Sequence, residues 1–242
     1  MTPRHLDADG PVLCLITDLQ LVGPGQLDQM VAEAIRGGIN LVQLREKSLP
    51  TREILDLALR LRQITADRVR FVINGRADVA LAAGADGVHL PSDGMSVEAA
   101  RQILGEDAVV GQSVHSVEEA RHAGGGSADY VELGTIFPSR SHPGGSALGL
   151  DPIREAARFG TPVLAVGGIT PENIASVIEA GAAGVAVISA ILSAPDPRAA
   201  AEQLAAAARE AWELRSNSIA AELGAFTPTL TLPRRGGGDH GS

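Results

Sequence analysis

The chain has 242 residues, enough for one barrel-sized domain or two small ones. A formal net charge of −9 weighs against a general polyanion-binding surface, and an aromatic share of 2% weighs against the stacking surfaces that bind single-stranded nucleic acid. A hydrophobic share of 45% with so few aromatics calls for a core of Val, Ile, Leu and Ala, the composition of strands buried on both faces.

In chain order, short apolar and often β-branched runs fall at 12–16, 39–42, 71–73, 87–90, 108–110, 130–133, 162–166 and 184–188. Helical periodicity separates most of them, as at 28–36, 52–66, 97–104, 117–122 and 171–180. Only residues 76–83 are available between the third and fourth runs, which predicts a short helix there. Ser96 and Ser116 are candidate helix caps, and Thr170 followed by Pro171 reads as a cap with proline at the first helical position. Gly38, Gly84, Gly160 and Gly181 read as helix stops. After Pro197 an Ala-rich helix is predicted to about Arg215, closing a domain of residues 1–215. The Thr-, Pro-, Arg- and Gly-rich remainder, 216–242, reads as a disordered tail. Eight alternating units predict a single (β/α)8 barrel, and no Gly-x-Gly-x-x-Gly turn follows the first strand to suggest a dinucleotide fold.

Cys14, the one cysteine, lies inside an apolar run and reads as an inert core thiol, compatible with a reducing cytosol. No apolar run approaches the ~20 residues of a membrane span, and the first ten residues are polar rather than signal-like. A soluble, cytoplasmic protein without membrane or nucleic-acid partners is expected, with homo-oligomerisation left open.

The active site of such a barrel lies where the strands end. Gly167-Gly168 follows the seventh run and Ile188-Ser189 the eighth. Two such turns leading into helices suit a phosphate cradle, although a glycine pair also serves simply as a tight turn. Gln43, Arg45 and Lys47 alternate along the end of the second strand, so their side chains project to one side. Two cations and an amide there suit an anion of high charge; the alternative is pairing with Glu46 and Asp18 on the rim. A polar loop at 138–145 carries Ser139, Ser141 and His142 beside Gly144-Gly145 and reads as a lid over phosphate oxygens or a plain surface loop. His89 and His115 sit near strand ends, where a lone histidine is more often structural than catalytic. No zinc-type spacing occurs, and Asp93 is the carboxylate at the mouth suited to magnesium through phosphate oxygens.

These residues resemble the thiamine phosphate synthase and TenI superfamily from about Leu13 to Leu192. The resemblance is carried by Leu15-Ile16-Thr17-Asp18, the run from Val42 to Lys47, Ile73-Asn74, the run from Ala85 to Leu90 and Ser113-Val114-His115. It continues through Gly134-Thr135-Ile136-Phe137-Pro138, Gly167-Gly168-Ile169-Thr170-Pro171 and Val187-Ile188-Ser189-Ala190. It implies an enzyme that joins a pyrimidine methyl diphosphate to a thiazole phosphate with release of pyrophosphate. Gln43, Arg45 and Lys47 would then grip the diphosphate, with Asn74 and Ser113 near the pyrimidine. Ser139, Ser141, Gly168, Ile188 and Ser189 would hold the thiazole phosphate, with His142 near the position of the usual lid lysine. Mg2+ is the cofactor the resemblance implies.

Two positions depart from the synthase pattern: Gly75 stands where an aspartate ligand of magnesium is common, and Gly94 stands at a second ligand position, leaving Asp93 one place early. Asn74-Gly75-Arg76 and Leu90-Pro91-Ser92 look more like the TenI branch, which implies a metal-independent tautomerase of thiazole phosphate, yet Thr135 replaces that branch's histidine. A threonine hydroxyl does not exchange protons near neutral pH as imidazole does. The retained diphosphate set favours the synthase, with the tautomerase and a non-catalytic thiazole phosphate binder as alternatives.

Overall fold

In the computed structural model, residues 10–221 and the backbone of 222–225 are described, apart from 24, 67, 126 and 140–146. Eight parallel strands close into a barrel in sequence order: β1 Val12–Ile16, β2 Leu41–Leu44, β3 Arg70–Asn74, β4 Gly87–Leu90, β5 Val109–Val114, β6 Tyr130–Gly134, β7 Val163–Val166 and β8 Gly184–Val187. The seam pairs Val12 with Gly184 and Leu15 with Val187. The predicted (β/α)8 architecture is the one observed.

Strand alternation sorts the core. Val12, Cys14 and Ile16, with Leu41, Val72, Tyr130, Leu164 and Ala186, form the barrel interior. Leu13, Leu15, Val42, Leu44, Val131 and Leu133 pack outward against the helices. Gln43 and Glu132 therefore fall on the inward side of strands whose other inward residues are apolar. Tyr130 fills the interior because Gly111 faces it: a Cβ at Gly111 would lie 2.0 Å from the tyrosine Cζ.

The helices are α1 Leu27–Arg36, α2 Thr51–Thr65, α3 Ala77–Ala83, α4 Val97–Leu104, α5 Val117–Gly125, α6 Asp151–Ala156, α7 Ile174–Glu179, α8 Ser189–Leu192 and α9 Pro197–Ala225. Ser96 caps α4 by accepting from the Ala99 amide, and Ser116 accepts from Glu119 N at the start of α5. The short α3 is the one expected from the spacing. Gly84 ends it in a left-handed conformation.

Several boundaries differ from the sequence expectation, and for β2, β5 and α7 the hydrogen bonding or strand register shows why. Pairing of β2 begins at Leu41 rather than 39, because the Ile39 amide still bonds Ala34 O of α1 and the Asn40 side chain is taken by Leu13 N and Pro11 O. β5 runs on to Val114, since Gln112 and Ser113 stay in register with Val131 and Glu132. α7 starts at Ile174 rather than 171: the Asn173 side chain accepts from Thr170 N and donates to Gly168 O, holding 170–173 as an irregular turn. α9 continues to Ala225, past the expected end near Arg215.

Between β8 and α9 the four-residue α8 is an addition to the repeating pattern. α9 then docks across α1, α7 and α8. Arg215 anchors it by donating to the carbonyls of Ile178 and Ala182 at 2.6 and 2.7 Å, which lie at the end of α7 and just beyond it.

Candidate active site

A cavity of about 290 Å³ opens at the C-terminal ends of the strands. From β2 and the residues after it come Gln43, Arg45 and Lys47, on one side as their alternation predicts. Asn74 ends β3, Ser92 and Asp93 follow β4, and Ser113 and His115 come from the end of β5. Thr135 and Ser139 follow β6. Gly167 and Gly168 follow β7, and Ile188 and Ser189 follow β8. The cavity thus gathers every described residue that the sequence singled out as catalytic, substrate-binding or metal-holding. Ser141 and His142, with most of the expected lid, lie outside the described residues.

The rim-pairing alternative for the cations is not what forms. Glu46 is half-buried and turned away: its Oε1 accepts from Thr17 Oγ1 at 2.8 Å, and its carboxylate accepts from the Leu19 amide at 3.2 Å. Burial raises that carboxyl above its ordinary value, with the bonds from Thr17 and Leu19 opposing. Asp18 accepts from Gln20 N to cap a single 3-10 turn. Thr17 Oγ1 also accepts the Arg45 amide at 2.9 Å, which ties the backbone carrying Arg45 and Lys47 to the end of β1. The carboxylates nearest in sequence are therefore committed elsewhere, leaving both cations to the cavity.

The glycine pair is required by close packing as well as by its turn. Gly167 has φ +99° and Gly168 φ +65°, in the region that favours glycine. A Cβ at Gly167 would stand 2.4 Å from Thr135 Cγ2, and one at Gly168 would stand 2.6 Å from Pro138 O. The backbone after β7 thus lies directly against the segment after β6. Beside it, α8 starts at Ser189, where the first amides of a helix have no intrahelical acceptor.

At the two positions that depart from the synthase pattern the backbone is tightly turned. Gly75 has φ +68°, in the left-handed region that favours glycine. A Cβ at Gly94 would come 3.0 Å from Pro91 O. Asp93 is exposed at the cavity, and the described residues contain no cluster of three or more metal-ligating side chains. One carboxylate fits magnesium held chiefly by substrate phosphates; it does not make a protein cage.

Below the mouth lies a buried polar group that sequence reasoning did not assemble. Glu132, on β6, accepts from Gln43 Nε2 at 2.7 Å through Oε1, while its Oε2 stands 3.3 Å from His89 Nε2. His89 Nε2 is also 2.8 Å from Ser113 Oγ, and its Nδ1 is 3.2 Å from the Tyr130 hydroxyl. Cys14 Sγ is 3.9 Å from Glu132 Oε1 and fully buried, as its sequence setting implies. Burial pushes Glu132 up to about 7, against the pull of Gln43, Arg45 and Cys14. Burial and the Arg45 charge push His89 down to about 3, which favours its neutral form. The signal for Glu132 was available: a carboxylate in the middle of the apolar run Tyr130-Val131-Glu132-Leu133 must be neutralised, bonded or functional.

Residues 13–191 match the family model for thiamine monophosphate synthase. The chain belongs to this family. Among its relatives, the thiamine-phosphate synthase of Roseiflexus sp. (strain RS-1) is 42% identical over 219 residues, covering 89% of this chain and 93% of the relative. That of Natronomonas pharaonis is 48% identical over 183 residues, covering 73% and 85%. The solved thiamine phosphate pyrophosphorylase from Pyrococcus furiosus superposes with a TM-score of 0.75 at 38% identity, covering 83% of this chain and 96% of that one. The family match spans the barrel from β1 into α8, so it includes every strand end that lines the cavity. No helix among the described residues is long and apolar enough to cross a membrane.

Proposed function

We propose that this chain is a thiamine-phosphate synthase, joining 4-amino-2-methyl-5-pyrimidinylmethyl diphosphate to thiazole phosphate with release of pyrophosphate. The observation that carries this reading is the placement of Arg45 and Lys47, neither in an ion pair with a neighbouring carboxylate among the described residues, in one cavity with the Gly167-Gly168 and Ile188-Ser189 turns. Family membership and the names of its relatives support the same reaction.

In this reading the methylene carbon–oxygen bond breaks first, and its electron pair leaves with pyrophosphate. The pyrimidine-stabilised cation is then captured by the thiazole nitrogen lone pair, forming the carbon–nitrogen bond. Arg45 provides a planar fork and Lys47 a point charge, so together they neutralise the leaving group as its charge grows. The resemblance implies that Gln43 grips the diphosphate with the two cations, but its buried amide nitrogen is committed to Glu132, so it joins Asn74 and Ser113 in orienting the pyrimidine end. Ser139, the Gly168 backbone and the start of α8 at Ser189 hold the thiazole phosphate, fixing the nucleophile in line. Asp93 is the residue that would hold Mg2+ through diphosphate oxygens, where the ion adds to the neutralisation of the leaving group.

The tautomerase alternative lacks support at its defining position, since the side chain facing the cavity there is Thr135. Purified protein given both substrates is expected to release pyrophosphate in a magnesium-dependent way. Lys47→Ala should lose roughly a hundredfold in kcat/KM, the scale of removing a charge-stabilising group. No turnover with both substrates and Mg2+ present would end this reading.

A further inference from the structure

The floor of the cavity differs from its walls. The walls carry cations and backbone turns suited to phosphates; the floor carries oxygen acceptors. Glu132 lines it, 4% exposed, beside Gln43 at 1%. The Gln43 amide nitrogen is committed to Glu132 Oε1 at 2.7 Å, which orients the amide. No described donor meets Gln43 Oε1, and no buried side-chain nitrogen or oxygen of the described residues lacks a partner, so that oxygen looks into the cavity. Glu132 Oε2 is 3.3 Å from His89 Nε2, and that nitrogen also serves Ser113 Oγ at 2.8 Å.

We propose that Glu132, with Gln43 oriented by it, is the specificity residue that selects an amino-substituted heteroaromatic ring at the floor of the cavity. The Gln43 amide oxygen can accept from an N–H on the edge of a flat ring, and the Glu132 carboxyl bonded to Gln43 accepts from such an N–H when ionised and donates to a ring nitrogen when protonated. Ile16, Val166 and Ala186 supply apolar surface around them on which such a ring lies. A ring without the amino group leaves these buried oxygens unpaired, and an unpaired buried acceptor is what makes a polar site discriminate. The charged and titratable groups around Glu132 are Cys14 from β1, Arg45 beyond β2, His89 from β4 and Tyr130 from β6. Arg45 is the permanent charge among them, so the floor is polar without being a second anion site. The inference rests on the synthase reading for the identity of the ring, and it can fail separately from it.

The test is titration calorimetry of the full chain with the aminopyrimidine methyl diphosphate, with its analogue carrying hydrogen in place of the amino group, and with thiazole phosphate. The wild-type chain is expected to prefer the amino compound by about tenfold or more, the scale of a hydrogen bond to a charged or buried group. Glu132→Ala should reduce that preference to within about twofold while leaving thiazole phosphate affinity within about twofold. Glu132→Gln keeps an oxygen that can accept from Gln43, so it should restore at least about half of the preference on a logarithmic scale. An undiminished preference in a folded Glu132→Ala chain overturns the proposal. So does an equal loss of thiazole phosphate affinity in both variants, which marks a merely structural role. Absence of aminopyrimidine binding by the wild-type chain overturns it together with the synthase reading. If the wild-type chain binds with the expected preference but makes no product, the synthase reading fails and Glu132 retains its role.

Discussion

Glu132 and His89 share one dry pocket, and burial moves their ionisation in opposite directions. The Glu132 carboxyl is raised from 4.5 to about 7, so its neutral form is favoured in the folded chain. Its contribution to stability is therefore fully present below pH 4.5 and is lost as pH rises through about 7. His89 is lowered from 6.5 to about 3, so its contribution is present above 6.5 and is lost as pH falls toward 3. Glu132→Gln removes the first slope and leaves the second. Relative to the wild-type chain, this variant should gain on the order of 3 kcal/mol between pH 4.5 and pH 8, read from urea unfolding at each pH. A pH-independent difference would mean that the carboxyl is solvated in the folded chain. At this scale the sequence was most legible where alternation placed Gln43, Arg45 and Lys47 on one side. It was least legible for the floor, because Glu132, His89 and Gln43 lie on three different strands and only barrel closure brings them together.

The turn after β7 shows how elements set the site. Sequence spacing indicated a glycine pair at a strand end, but not that the pair is pressed against the segment after β6. That contact depends on the pairing of β6 with β7, which aligns Gly134 with Val166. At Gly168 a methyl group meets both a left-handed backbone and the Pro138 carbonyl. Gly168→Ala should therefore cost about 2 kcal/mol or more in stability. It should also raise KM for thiazole phosphate by at least about tenfold while leaving KM for the diphosphate within about twofold. Parallel changes in both KM values would show that the turn supports the barrel without holding one substrate. The late start of α7 has a related origin. α7 yields its first turn to Asn173 because that side chain bonds across the loop to Gly168 O, a non-local choice that helix propensity does not contain.

For the whole molecule, periodicity was enough to give the barrel, since each apolar run is short, β-branched and followed by a helix or a stop. What it could not give was how the ring is closed on the outside. That task falls to α9, which lies across α1, α7 and α8 with Trp212 packed on the core and Arg215 over the indole at 4.5 Å. If α9 is integral to the barrel, the lone tryptophan reports the same event as the backbone. Denaturant transitions followed by Trp212 fluorescence and by far-ultraviolet circular dichroism should then coincide. An earlier fluorescence transition would show that α9 detaches before the barrel opens.

The position of Lys47 has a practical outcome for chemical modification. It is the single lysine among the 242 residues, and it lines the cavity. Apart from the chain's amino terminus, an amine-directed reagent meets its one primary amine at the strand ends that line the cavity. A phosphate-bearing aldehyde reduced onto the chain is thus directed to that amine by charge as well as by reactivity. Occupancy of the cavity becomes countable as one covalent mass increment per chain, without a catalytic assay.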